Sequence, residues 1–320
     1  MTAKQVIESL HAKGLLSEEE ARRLTQEEKA RPFSLFYELR LLLYLGIVLL
    51  CAGLGTLVYQ HLDSLGHQAI VGFISLAMFG TFAYAYFHRK AFSWDEVHAS
   101  KLEDFSLLAS ALLFLILEGY VQYQYRLFGE RYELATFLPA LVFFPCAYIF
   151  DHRGVLAMAI TALASWLGIK IAPVSLWWTA NFSSFSLINT AILLGIALAT
   201  VGILSEIYQR KKHFTFTYLL FGLNLATVAA LVGLFQYSYH VTYAVVVAIL
   251  ALFAVGYARR TQAYQFLLMA VIYGYIAFTY CLSFIPLPTD LDAWLIVLYF
   301  IFSGIAVIAF LLNIKRILKN

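Results

Sequence analysis

The residue best placed to do chemistry is Glu118. It lies in LLFLILEGYVQYQY, residues 112–125, inside a long run of apolar side chains. A carboxyl group at that depth is costly, and by default it faces protein or a water-filled cavity, which makes it a functional-site candidate. Such a group is suited to taking up and releasing a proton. Gln122 follows one helical turn later on the same face, and Tyr125 lies near that face, so the three could line a polar groove. The plainer reading is a protonated glutamate hydrogen-bonded to a neighbouring helix for packing alone. Asn224, in LLFGLNLATVAA, is the fourth candidate, with Thr227 three residues on. Asparagine in an apolar helix commonly joins helices by hydrogen bonding. Asn189 and Thr190 carry that reading too, and Glu206 is expected to pair with Arg210 one turn away.

Other chemistries lack their residues. His61, Asp63 and His67 lie close in sequence but without the helical spacing of a metal site, and the histidines at 88, 98, 152 and 213 stand beside basic residues in connections. No metal and no cofactor is implied. There is no His-Glu-x-x-His, no Gly-x-Ser-x-Gly and no phosphate-cradling glycine loop, so catalysis is not expected. Cys51, Cys146 and Cys281 all fall in apolar runs, which argues against a disulfide framework.

The elements that must position these residues follow from composition. The 320 residues are 62% hydrophobic and 13% charged, where an ordinary globular chain is about a quarter charged. That excludes a soluble enzyme on a single anchor, a disordered chain and a nucleic-acid-binding domain. A spanning helix needs roughly 20 mostly apolar residues. Ten runs qualify, at about 41–60, 67–87, 105–125, 134–150, 155–172, 187–208, 214–237, 239–257, 263–285 and 293–313. Backbone groups in lipid allow only helices or closed barrels, and no barrel-type alternation is present. The fold class is therefore all-α, a polytopic transmembrane bundle of about ten spans. Pro139 and Pro145 in the short fourth span either kink it or break it into half-helices of the kind that build transporter sites. Gly46, Gly53, Gly55, Gly72 and Gly80 are read as points of close helix contact.

Charge sets the expected orientation. With the N-terminus inside and the loops alternating, the inside holds, beyond the first 31 residues, Arg40, Arg89, Lys90, Lys101, Arg153, Arg210, Lys211, Lys212, Arg259, Arg260, Lys315, Arg316 and Lys319. The outside holds only Arg126, Arg131 and Lys170. Positive charge is retained on the cytoplasmic side, so both termini are expected there. Trp177, Trp178 and Trp294 fall where outer interfacial anchors belong. No cleavable signal peptide is expected, and the first span would serve as the insertion signal.

Residues 1–32 differ in kind and form a separate unit from the membrane domain, 33–320. Val6, Ile7 and Leu10 recur at helical spacing, Gly14 ends that helix, and Ser17-Glu18-Glu19-Glu20 fits a capping box that starts a second one. A cytoplasmic helical hairpin of this size does not hold its fold alone. It is expected to pack on its own bundle, on a protein partner or on another copy.

The stretch from Leu10 to Leu24, LHAKGLLSEEEARRL, followed by Leu43-Tyr44-Leu45-Gly46, resembles the bacterial membrane proteins catalogued as domain of unknown function 2157. Leu117 to Tyr125, then Leu134 to Pro145 with Ala147-Tyr148, is similar to that family's third and fourth spans. The likeness runs over about residues 5–170. One departure is Glu118, at a position that is apolar in the family pattern. The resemblance implies a multi-pass inner-membrane protein and supplies no activity.

The leading functional expectation is small-molecule or proton-coupled transport. A non-catalytic scaffold or accessory subunit, binding a partner through the N-terminal hairpin, competes with it. A lipid-directed enzyme comes third. Apart from the bilayer and such a protein partner, no partner is implied, and nucleic acid is excluded.

Overall fold

The computed structural model describes residues 17–20, 35–60, 66–97, 101–129, 131–171, 184–284 and 292–319. Regular structure among them is helical throughout. The long helices are α1 (Leu35–Gln60), α2 (His67–His88), α3 (Lys101–Tyr125), α4 (Tyr132–Phe150), α5 (Arg153–Ile171) and α6 (Phe185–Ile207). After a 3₁₀ turn at Lys212–Phe214 come α7 (Thr215–Gln236), α8 (His240–Thr261), α9 (Tyr264–Leu282) and α10 (Asp292–Lys319). Each stands on one of the ten apolar runs. Among the described residues eight of them, α2 to α9, are long and apolar enough to cross a membrane, while α1 and α10 contribute the shorter apolar stretches Leu41–Thr56 and Val297–Val307. The chain divides into two units, Met1–His67 and Gln68–Asn320.

Most of the proposed N-terminal hairpin lies outside the described residues. Its capping box does not. The Ser17 hydroxyl and backbone N–H both donate to Glu20 Oε2, at 2.8 and 3.0 Å, and the Glu20 N–H donates back to the Ser17 hydroxyl at 3.3 Å. These bonds hold the Glu20 carboxyl below the usual carboxylate range. A depressed acid stabilises its structure above the unfolded pKa and loses that contribution as pH falls through the folded one. Acidification past the ordinary glutamate range should therefore fray this turn. Amide chemical shifts of residues 17–20 should then follow one curve with the Glu20 carboxyl, and Ser17→Ala should lessen the depression without abolishing it, because the backbone N–H of residue 17 still donates to the carboxylate.

In the second unit α7 is the central element: 61% of its span is buried, against 22–33% for the other seven. The α6–α7 pair packs backbone to backbone. A Cβ added at Gly222 would lie 2.6 Å from the Gly195 carbonyl oxygen and 2.9 Å from the Ala199 nitrogen, and one at Gly202 would lie 2.9 Å from Tyr218 Cβ. Small residues permit this approach, which is how helices associate where lipid offers no hydrophobic drive. The glycines singled out from sequence behave otherwise. A Cβ at Gly72 or Gly80 would meet nothing within 4 Å, and Gly46, Gly53 and Gly55 likewise approach nothing in their own unit. Close contact is thus made by a different set, fixed by which helix faces meet.

One core joins α3, α4, α5 and α7 through Leu107, Phe143, Ala147, Leu156 and Tyr218. Another joins α6 to α9 through Ala199, Leu219, Ala254 and Phe266. The outer faces carry exposed Leu76, Phe87, Leu193, Val241 and Leu252, an apolar surface far beyond what a water-soluble monomer displays. α4 runs unbroken through both prolines, with Pro139 buried. The half-helix reading of this span does not hold, because neighbouring groups accommodate the missing N–H bonds within one helix. Glu206 is also repartnered: it meets the Tyr257 hydroxyl at 3.3 Å and Arg260 at 3.5 Å, while Arg210 stacks over the Trp94 ring at 4.9 Å.

Four connections meet at one end of this unit: 89–97, 151–152, 208–214 and the α8–α9 turn. Lys211 reaches both Trp94 and Asp151, and Arg260 reaches Glu206. This is the basic end. The α3–α4 and α7–α8 turns lie at the other ends of their helices.

Candidate functional site

α3 places Glu118 and Gln122 one turn apart, and the way the helix stops decides what joins them. Arg126 takes a positive φ of 48°, and Gly129 takes 58°, where glycine is at no disadvantage. The tight turn that results is tied to α3 through Gln122. The Gln122 Nε2 donates to the Gly129 carbonyl at 3.1 Å and its Oε1 accepts from the Phe128 N–H at 2.9 Å. The side chain is buried, 8% exposed, and both ends are occupied. Gln122 is thus a positioning residue that holds the turn, and the turn carries Arg126 to the same groove.

The groove has a volume of about 490 Å³ and is walled by Glu118, Gln122, Tyr123, Arg126 and, from α4, Tyr132. One carboxylate oxygen of Glu118, Oε1, is buried and has no hydrogen-bond partner among the described residues. An unpaired buried acceptor costs about 1–3 kcal/mol. A groove with an acid at one point and a guanidinium at another can hold a small polar molecule that bears both a donor and an anionic group.

The other two sequence candidates lie elsewhere. Tyr125 is half exposed and does not line the groove. Asn224 joins α7 to α9: its Nδ2 donates to the Leu220 carbonyl at 2.7 Å and its Oδ1 accepts from the Tyr273 hydroxyl at 2.7 Å. Asn189 similarly accepts from the Tyr243 hydroxyl at 3.4 Å. These are the helix-joining amides expected of the plainer reading.

A second polar constellation was missed in the sequence. Asp151 ends α4 in the left-handed conformation, φ 59°, which turns its carboxylate inward. Its Oδ1 lies 2.7 Å from Lys211 Nζ and 2.7 Å from His213 Nε2, and its Oδ2 accepts from the Val97 N–H at 2.6 Å. Lys211, Asp151 and His213 side chains are 1%, 3% and 5% exposed, so charge is matched out of contact with solvent. Lys211 Nζ also sits 5.1 Å from the Phe92 ring centre. His152 caps α5 by accepting from the Val155 N–H at 3.1 Å. Every Asp151 oxygen is engaged, so the cluster clamps three connections together. From sequence, the lysines and histidines of these loops were assigned to membrane orientation, which treats all of them as solvated. The one available pointer was Asp151 itself, an acid at the head of a basic turn. Among the described residues no group of three or more His, Cys, Asp or Glu side chains is arranged to hold a metal.

Residues 8–156 match the model of the family described as "Predicted membrane protein (DUF2157)". The matched stretch includes Glu118, Gln122, Tyr125, Arg126 and Asp151 and ends before Lys211 and Asn224. No curated protein and no solved structure matches the chain.

Proposed function

We propose that the chain is a multi-pass transport-type protein that admits a small polar solute, or a proton, at the Glu118 groove. The observation that carries this reading is the buried, unpartnered Glu118 oxygen in an open groove shared with Arg126. Ten spans with both termini in the bacterial cytoplasm supply the setting. In support, Arg89, Arg210 and Lys211 lie in connections that meet at one end, and Arg153 and Arg260 lie in the helix ends beside them, as retention of positive charge requires. The groove would then open outward, with Arg126 as a selectivity charge and Glu118 as the proton or cation carrier.

The test is ligand screening on the full chain in lipid nanodiscs, followed by flux in proteoliposomes. Charged and zwitterionic solutes are screened by thermal shift, and proton flux is followed with an internal pH dye. A solute that stabilises the wild type should bind Glu118→Gln and Arg126→Gln at least roughly tenfold more weakly, the worth of one charged hydrogen bond. The unliganded melting temperature should hardly move. If neither solute binding nor proton flux responds to Glu118→Gln, the groove is structural. Loss of a co-purifying protein on deleting residues 2–31 would then favour the scaffold reading.

A further inference from the structure

A second cavity, of about 240 Å³, lies between α2, α3 and α4; along α3 it ends at Phe114, where the Glu118 groove begins at Leu115, and no residue lines both. Its walls are apolar: Phe79, Phe82, Ala111, Phe114, Phe143 and the thiol-bearing Cys146 among them. Cavities of about 150 Å³ with such linings stay dry and take up hydrocarbon. Phe79, on the rim, is exposed to the outer face of the bundle, so the cavity opens sideways rather than into the core. Toward the basic end it shares Leu107 with a small polar recess of about 20 Å³ bordered by Arg89, Lys90, Glu103 and Asp104. On α2 Phe82 and Ala85 lie near one face and lead to Arg89 just past the helix end, and on α3 the positions Glu103, Leu107, Ala111 and Phe114 keep one face. The slot therefore runs from hydrocarbon to charge along two adjacent helix faces.

The charged end is balanced. Lys211 and Asp151 also border it but satisfy each other. The rest of its charged border is Arg89, Lys90, Glu103 and Asp104, two of each sign. A purely anionic headgroup finds no net field there, whereas one that bears both a phosphate and a primary amine meets both signs. The recess has room for about one water, so a headgroup lies across its mouth, where Arg89 and Lys90 are exposed. Arg89 is preorganised there by its stack on Tyr86, 4.2 Å from the ring centre. Lys90, Glu103 and Asp104 make contacts of their own, and the headgroup joins that network.

We infer that this slot binds a bilayer phospholipid with an ethanolamine-type headgroup. One acyl chain fills the cavity, the phosphate lies across Arg89 and Lys90, and the ammonium is directed to Glu103 and Asp104. The site is separate from the Glu118 groove, and its test does not depend on transport.

The full chain is equilibrated in mixed micelles with phosphatidylethanolamine, phosphatidylcholine or phosphatidylglycerol of matched chains. Retained lipid is counted by native mass spectrometry. Phosphatidylethanolamine should be retained roughly tenfold over the other two, since the choline cannot donate hydrogen bonds and the glycerol lacks the amine. Glu103→Gln/Asp104→Asn should remove that preference, and Arg89→Ser/Lys90→Ser should weaken retention of all three, because each carries the phosphate. Ala111→Leu, which narrows the cavity, should weaken retention of all three. A second readout needs no variant: the alkylation rate of Cys146, resolved by peptide mapping from Cys51 and Cys281, should fall when phosphatidylethanolamine is added. Equal retention of the three lipids overturns the inference, as does an unchanged Cys146 rate, which is the outcome expected if a protein helix occupies the slot.

Discussion

Replacing Asp151 by leucine should destabilise the membrane unit by about 3–5 kcal/mol, the usual result of removing one partner from a buried ion pair. Lys211 is 1% exposed, and with Asp151 gone its ammonium keeps, among the described residues, the faces of Phe92 and Phe214, at 5.1 and 6.0 Å. A ring face offers roughly 0.5–2 kcal/mol to a cation, too little to replace a carboxylate. The variant also leaves the Val97 N–H without its acceptor and releases the 89–97 connection from α4. The unpaired charge, rather than the lost attraction, is the larger part of the effect. Asp151→Leu combined with Lys211→Met should therefore recover most of the stability, because no buried charge is left without a partner. Unfolding in mild detergent, followed by tryptophan fluorescence and by melting temperature, separates the terms. The single variant should lose roughly 10 °C, and the double variant less than half of that. If the double variant is as damaged as the single one, the damage comes from what both share, the lost bond to Val97 and a leucine held at the left-handed φ of 59°, and not from the charge.

Gly222→Val should be comparably severe, for a steric reason. The added Cβ would sit 2.6 Å from the Gly195 carbonyl oxygen and 2.9 Å from the Ala199 nitrogen, and both are backbone atoms of α6 that cannot swing away. Relief requires the two helices to separate. Leu198, Ala199, Leu219 and Ala226, all buried, then lose contact together. Overpacking commonly costs about 1–3 kcal/mol when side chains can yield, and here the obstacle is main chain on both sides. Gly72→Ala provides the contrast, since its Cβ meets nothing within 4 Å. Replacing a helical glycine by alanine in open space should be neutral or stabilising by up to about 1 kcal/mol. Monodisperse yield by size-exclusion chromatography, with melting temperature, should rank Gly72→Ala at or above wild type and Gly222→Val far below it. Equal behaviour of the two variants would mean that α6 and α7 do not approach as closely as described.

Much of the local structure was legible because its causes are local. A run of about 20 apolar residues becomes a helix since its backbone groups have no partner in lipid except their own chain, and the ten helices stand on the ten runs. The Ser17–Glu20 box was readable because both partners lie within one turn. Glu118 and Gln122 could be placed on one face for the same reason. The role of Gln122 could not be read, because it depends on the positive φ of Arg126 and Gly129, which brings Gly129 back to the Gln122 amide. Arg126 was visible only as an outer charge and not as a wall of the Glu118 groove.

The sequence by itself therefore determined the helical class, the positions of the helices, and the presence of one acid deep in an apolar helix. Tertiary structure decided which glycines touch, that Asp151 meets Lys211 and His213 across some sixty residues, that Asn224 is bound to Tyr273, and where the two cavities open. In water, a helix declares its buried face by an apolar stripe. Here lipid and protein interior are equally apolar, so the pattern along a helix does not say which side meets a neighbour. Only the packed bundle distinguishes Gly222, pressed against another backbone, from Gly72, which faces open space.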